Sequence, residues 1–182
     1  MLDNLAQLHT AIVAGLRAKL GGVPTVDAYP VIQRRIHLPA VLVELAEMEP
    51  GDDPGSGETA LIGRFQARAI IDPNQANADM QVRELAARIA VAITHETWGL
   101  GISVAQLVQI GEDAFKPELD GYMVWVVEWT HEFHIGESAW PYPDESGLTV
   151  MLGMYPETGA GNEAGYWPVG SEPPADWGEQ KP

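Results

Sequence analysis

The chain contains no cysteine, which removes disulfide scaffolds, cysteine nucleophiles and thiolate metal sites together and argues against redox chemistry. Cations are also scarce: ten Lys plus Arg stand against 26 Asp plus Glu, a formal net charge of -16. Such a surface repels phosphate backbones and anionic lipid, so simple electrostatic gripping of nucleic acid is excluded. Only five serines occur, and none sits in a Gly-x-Ser-x-Gly turn, which counts against a serine hydrolase. No run of 18 apolar residues exists, and the expectation is a chain that does not cross a membrane. Met1-Leu2-Asp3-Asn4 lacks the basic start of a secretory signal, so the mature chain is expected to begin at Met1.

What is present suits one folded domain with an appendage: 182 residues, 46% hydrophobic and 20% charged. Composition breaks near Gly136. Residues 137 to 182 hold one Lys, eight acids, seven of the 14 Pro and seven of the 19 Gly. Pro and Gly at that density forbid long helices and central strands, and the segment is expected to be an extended arm. Residues 1 to 136 are expected to fold.

Within that domain, Leu2, Leu5, Leu8, Ile12, Leu16 and Leu20 recur at helical spacing, and Gly21-Gly22 ends the stripe. Ala40 to Ala46 reads as a strand covered on both faces, closed by Pro50-Gly51. Residues 49 to 58 are acidic turn chemistry and predict a flexible hairpin loop projecting into solvent. On the return strand Leu61, Phe65, Ala67, Ala69 and Ile71 alternate with Arg64, Gln66 and Arg68, which predicts one core face and one wet face. Asp72-Pro73 with Gln75 reads as the cap of a second helix, whose apolar face is Ala78, Val82, Leu85, Ala86, Ile89 and Ile93. Ile102 to Ile110 predicts a weaker strand. From Tyr122 to Ile135, Met123, Trp125, Val127, Trp129, Phe133 and Ile135 share one face, while the other changes from Tyr122, Val124 and Val126 to Glu128, Thr130, Glu132 and His134. The order α, β, β, β, α, β, β predicts an α+β fold, two helices on a largely antiparallel sheet of four to five strands, followed by the arm.

Motifs for chemistry are weak. His131-Glu132-Phe133-His134 invites a zinc reading, but a spacing of three on a strand sends the imidazoles to opposite faces. One histidine near the core and one at the surface is expected, with no metal and no cofactor. Gly51 to Gly57 has the glycines of a phosphate loop but acids and no Lys, which would repel the phosphate. No catalytic residues are assigned, and no enzymatic activity is expected.

Two features point to contacts instead. Arg64 and Arg68 on one strand match Glu128 and Glu132 on another at the same two-residue alternation; these are expected either to pair across the strands or to form a subunit interface. The arm carries Trp140, Tyr142, Tyr155, Tyr166, Trp167 and Trp177, and Trp140, Tyr142, Tyr155 and Trp167 are its candidate anchors on another chain. Glu49, Asp52, Asp53 and Glu58 mark the loop as a candidate partner contact, mobile until assembly.

The opening amphipathic helix, the Leu38 to Leu45 strand, the Arg64 to Ile71 strand entering an Ala-rich helix, and the Pro117 to Tyr122 turn into an aromatic strand together resemble the tail terminator proteins of tailed bacteriophages. The resemblance covers residues 1 to about 136 and leaves the arm outside it. It implies a hexameric ring, a homo-oligomer that caps the tail tube protein, halts tube polymerisation and presents a surface to the head completion or connector protein. It also implies a place in the virion neck, after assembly in the host cytoplasm, with DNA passing through unbound. The alternatives are another neck or head-tail joining protein, or a small cytoplasmic α+β ligand-binding domain or enzyme.

Overall fold

A computed structural model describes residues 2, 4–29, 36–113, 119, 121–139, 148–153 and 158–172. The chain divides into two units, Met1–Trp140 and Pro141–Pro182.

The first unit opens with helix α1, Leu5–Lys19, whose first turn is closed by Asn4: its side-chain oxygen accepts from the Gln7 amide at 2.9 Å. Strand β1, Thr25–Ala28, runs parallel to β2, Ala40–Pro50. Strand β3, Thr59–Ile71, returns antiparallel to β2 and leads to helix α2, Ala78–Ile93. Strands β4, Gln106–Glu112, and β5, Met123–Ile135, complete one five-stranded sheet in the order β1-β2-β3-β5-β4. Only the β1/β2 pair is parallel, so the expected α+β class, helix count and largely antiparallel sheet are what the chain adopts.

Both helices contribute to the core that covers one face of that sheet. Leu8, Ile12 and Leu16 from α1 and Val82, Leu85 and Ile89 from α2 are buried with Val41, Val43, Phe65, Val127, Trp129 and Phe133. Burial of each such side chain contributes about 1.5–3 kcal/mol before entropy is counted. The aromatic strand is placed as its alternation predicts: Trp129 is fully buried and stacks on Phe65 at 5.8 Å, with Trp125 packed at the margin of the same core. The opposite face of the sheet has a second, smaller apolar cluster of Ala40, Leu42, Ile70, Leu119 and Val124.

Three local expectations are corrected. The second helix begins at Ala78 with Asn77 at its cap; Asp72 instead accepts from the Asn74 amide at 2.9 Å, so Asp72-Pro73 makes a turn before the helix. The weak strand lies at Gln106–Glu112, not from Ile102, because Ile102 packs against the main core while Ala105 donates to the Glu96 carbonyl. Strand β2 extends to Pro50, which places Glu49 in the sheet and shortens the loop to 51–58.

That loop has hydrogen bonds of its own. Asp53 accepts from the Gly55 amide at 2.9 Å, Ser56 Oγ donates to Glu58, and the Ser56 carbonyl accepts from the Ala139 amide at 2.6 Å. The loop predicted as a flexible hairpin thus carries local hydrogen bonds and a contact to Ala139. Gly57 is in the left-handed region, φ 85°, with the Ala139 methyl 2.7 Å from where its own Cβ would stand.

In the second unit, strands β6, Met151–Leu152, and β7, Trp167–Pro168, form a two-stranded ladder joined through a 3-10 turn at Glu163–Gly165. The Tyr166 ring packs on Gly153 and its hydroxyl accepts from the Gly159 amide at 2.6 Å. The segment thus has short local structure where a purely extended arm was expected. Of the candidate anchors, Trp140, Tyr142 and Tyr155 lie outside the described residues; Trp167 is half-buried in β7.

Candidate functional site

The second face of the sheet carries a connected group of charges. Alternation along β3 places Arg64, Gln66 and Arg68 on this face, and pairing sets Gln66 between Glu44 on β2 and Glu128 on β5. A bulge adds a further acid pair. Leu45 pairs Phe65 and Glu47 pairs Arg64, so Ala46 is an extra residue in β2. The extra residue reverses the alternation, and Glu47 and Glu49 join Glu44 on the polar face.

The result is a continuous network. Arg68 donates from Nε to Asp113 at 2.7 Å and from Nη2 to Gln66 Oε1 at 2.6 Å. Its Nη1 lies 2.7 Å from Glu44, close enough for an ion pair but off the line of a hydrogen bond. The guanidinium also sits 5.0 Å from the Tyr29 ring centroid. Gln66 donates to Glu128 at 2.7 Å, and Arg64 donates to the other oxygen of Glu128 at 2.8 Å. Arg64 then reaches Glu47 and Glu49, each at 3.5 Å. Two guanidiniums face five carboxylates.

Burial decides what this face can do. Arg68 is 1% exposed and Glu128 5%, so the expectation of a wet face is corrected. Leu119, with Tyr29, Ile36 and Leu38, packs on this face, a cover that alternation along β3 does not reveal. Of the expected cross-strand pairs, Arg64–Glu128 forms. Arg68 pairs with Glu44 and Asp113 instead, and among the described residues no ion pair includes Glu132, which stands opposite Ile62 and is exposed. Arg68 and Glu128 are spent inside the protomer, which leaves Glu47, Glu49, Glu132 and the one-third exposed Arg64 as the charges this face offers outward. Beside them the loop places Asp52 and Asp53 exposed and Glu58 half-covered.

The network is therefore a chain of paired side chains with more acid than base. Glu128, as hydrogen-bond partner and as charge, holds the Arg64 guanidinium above its ordinary range, with Glu47 and Glu49 adding to it. Among the described residues no group of three or more His, Asp or Glu side chains is arranged to hold a metal ion.

His131 occupies a separate, dry position on the core face. Its Nδ1 hydrogen-bonds the Ser103 carbonyl at 2.8 Å, and its Nε2 accepts from the Trp98 indole at 2.9 Å. A carbonyl can only accept and an indole can only donate, so these partners select the neutral Nδ1–H tautomer. Burial pushes its pKa below the ordinary histidine value, the Ser103 contact opposing it. His134 is half-buried on the other face, so the pair is split as strand geometry requires.

A groove of about 530 Å³ runs between the end of α1 and α2, lined by Lys19, Leu20, Glu84, Arg88 and Val91 among others. Its cations are committed: Lys19 pairs with Glu96, and Arg88 donates to the Gly21 carbonyl. No converging polar cluster marks it as a substrate site.

The sequence did not single out Glu44, Gln66, Asp113 or Trp98 as members of a site. Gln66 was visible in the β3 alternation; Asp113 and Trp98 arrive from other elements across the sheet and carry no local signal. No protein-family model matches this chain, and no curated protein does.

Proposed function

We propose that this chain is a structural ring subunit of a bacteriophage tail, a tail terminator that caps the tail tube, stops its polymerisation and offers a surface to head-to-tail joining proteins. The observation that carries the reading is the order of elements, α-β-β-β-α-β-β, with the aromatic strand β5 beside the long return strand β3. The stretches that resemble the family fall on α1, β2, β3 leading to α2, and β5. The paired polar face supports a scaffold rather than a catalyst, since Glu128 and Asp113 are engaged by Arg64, Gln66 and Arg68. A net charge of -16 suits a ring through which DNA slides without adhering.

In this reading the ring contact uses the charges that remain outward, Arg64, Glu47, Glu49 and Glu132, and not the buried Arg68. The loop with Asp52, Asp53 and Glu58 serves as a partner contact, and the aromatic arm as a strap on a neighbouring subunit. The test is tail length. Phage particles assembled without this chain should show tubes that overrun their normal length and carry no heads, and purified protein added to polymerising tube protein should arrest growth. Tubes of normal length in its absence would overturn the assignment.

A further inference from the structure

The outward face of α2 has the makeup of half an interface. At about 3.6 residues per turn, Met80, Ala87 and Val91 fall on one ridge, with Arg83 on one flank and Arg88 on the other. Val91 is 78% exposed and Met80 63%, more than any other large hydrophobic described in the first unit. Both arginines are held by neutral groups. Arg83 donates to the Asp79 carbonyl at 2.9 Å and lies 5.3 Å from the Trp125 ring centroid, while Arg88 donates to the Gly21 carbonyl at 2.7 Å. A carbonyl fixes a guanidinium without neutralising it, and among the described residues neither arginine is in an ion pair. Glu84, on the same flank as Arg88, pairs with neither. Because α1 has two cations and no acid and α2 two of each, the helices are net basic in a chain of net charge -16.

The far face of the sheet bears the complement. Ile62 pairs with Glu49 on one side and Glu132 on the other, and cross-strand partners share a face, so a half-buried isoleucine stands between two exposed carboxylates. Arg64, which reaches Glu49, is already held by Glu128 and Glu47, and Glu132 has no ion pair among the described residues. The row keeps its acidic charge.

We propose that α2 of one copy docks on the row Glu49, Ile62, Glu132 of the next, its apolar ridge against Ile62 and its two arginines against the two carboxylates. The dimensions agree. The acids stand two strand spacings apart, about 9.5 Å at the backbone, and a helix with its side chains is about 10–12 Å across. Arginines on its two flanks therefore straddle the isoleucine and reach both acids. A second copy is the occupant by charge complementarity: basic, apolar, basic on the helix meets acidic, apolar, acidic on the sheet. The helices cover one face of the sheet and the acids lie on the other, so a copy cannot join its own surfaces, and each docked copy leaves one of each free. The contact is heterologous and repeats from copy to copy. It rests on the ring reading for its closure, and it names the surface that the outward acids meet.

The test uses the full-length chain in solution, without tube protein. In sedimentation velocity the parent should associate beyond a dimer as its concentration rises. Arg83→Glu with Arg88→Glu should raise the concentration needed by about tenfold or more, and Glu49→Lys with Glu132→Lys should do the same, each with unchanged circular dichroism. Mixed in equal amounts, the two double variants should regain association, because native acids then meet native arginines at one contact and reversed charges meet at the next. Val91→Asp, a second probe of the ridge, should weaken association too. Arg17→Glu, at an exposed cation of α1 outside the ridge, should not. A parent that stays monomeric, helix variants that associate like it, a loss in Arg17→Glu as large as theirs, or a mixture that stays apart would each refute the proposal. Tube length reads the ring separately: normal tubes without the chain would remove the ring and leave this contact, while a monomeric parent would remove this contact and leave the ring.

Discussion

Replacing Arg68 with methionine tests the network at its most buried point. The guanidinium is 1% exposed and bridges Asp113, Glu44 and Gln66, whose acidic side chains are themselves only 9% and 18% exposed. Methionine keeps much of the volume but removes the guanidinium that two shielded carboxylates face. Breaking a buried pair from one side costs about 3–5 kcal/mol, mostly as the penalty of the stranded charge. For a chain of this size each kcal/mol moves the melting temperature by roughly 2–4 °C, so Arg68→Met should melt about 6–20 °C lower. The cost belongs to the stranded acids, and the triple variant Arg68→Met, Glu44→Gln, Asp113→Asn should recover much of it. Arg68→Glu, harmless if the face were wet, instead adds a third carboxylate and should fail to fold. Thermal unfolding followed by circular dichroism decides the matter. An Arg68→Met melting temperature within a degree or so of the parent, or a triple variant no better than the single, would refute the argument.

Trp129→Ala should destabilise by about 3–5 kcal/mol in urea titrations, because it empties a fully buried site stacked on Phe65; an unchanged midpoint would mean the strand face is misassigned. Gly15→Ala should destabilise by about 1–3 kcal/mol although alanine is the better helix former, since its Cβ would stand 2.5 Å from Trp98. Displacement of that indole should also appear in tryptophan fluorescence. His131 titrates below the ordinary value of 6.5 in the folded chain, so the unfolded chain binds the proton first. Its contribution is complete above that ordinary value and is lost as the pH falls from there through the lower folded one. The decline in urea midpoint between about pH 7.5 and 5.5 should be shallower in His131→Gln than in the parent.

Much of this protein follows from the sequence alone. The 3.6-residue stripes of α1 and α2 and the two-residue alternation of β3 and β5 are properties of neighbouring residues, so they declare which elements form and which side chains meet the core. Tertiary structure alone decided the polar face. The extra residue at Ala46 turns Glu47 and Glu49 toward Arg64, and no local pattern announces a bulge whose cause is pairing with β3. Arg68 looked wet because alternation reports the side of a strand and not what covers it; Asp113 and the Leu119 cluster come from distant parts of the chain. The place of β4 at the end of the sheet is decided the same way, since strand order is a property of the whole fold and not of neighbouring residues.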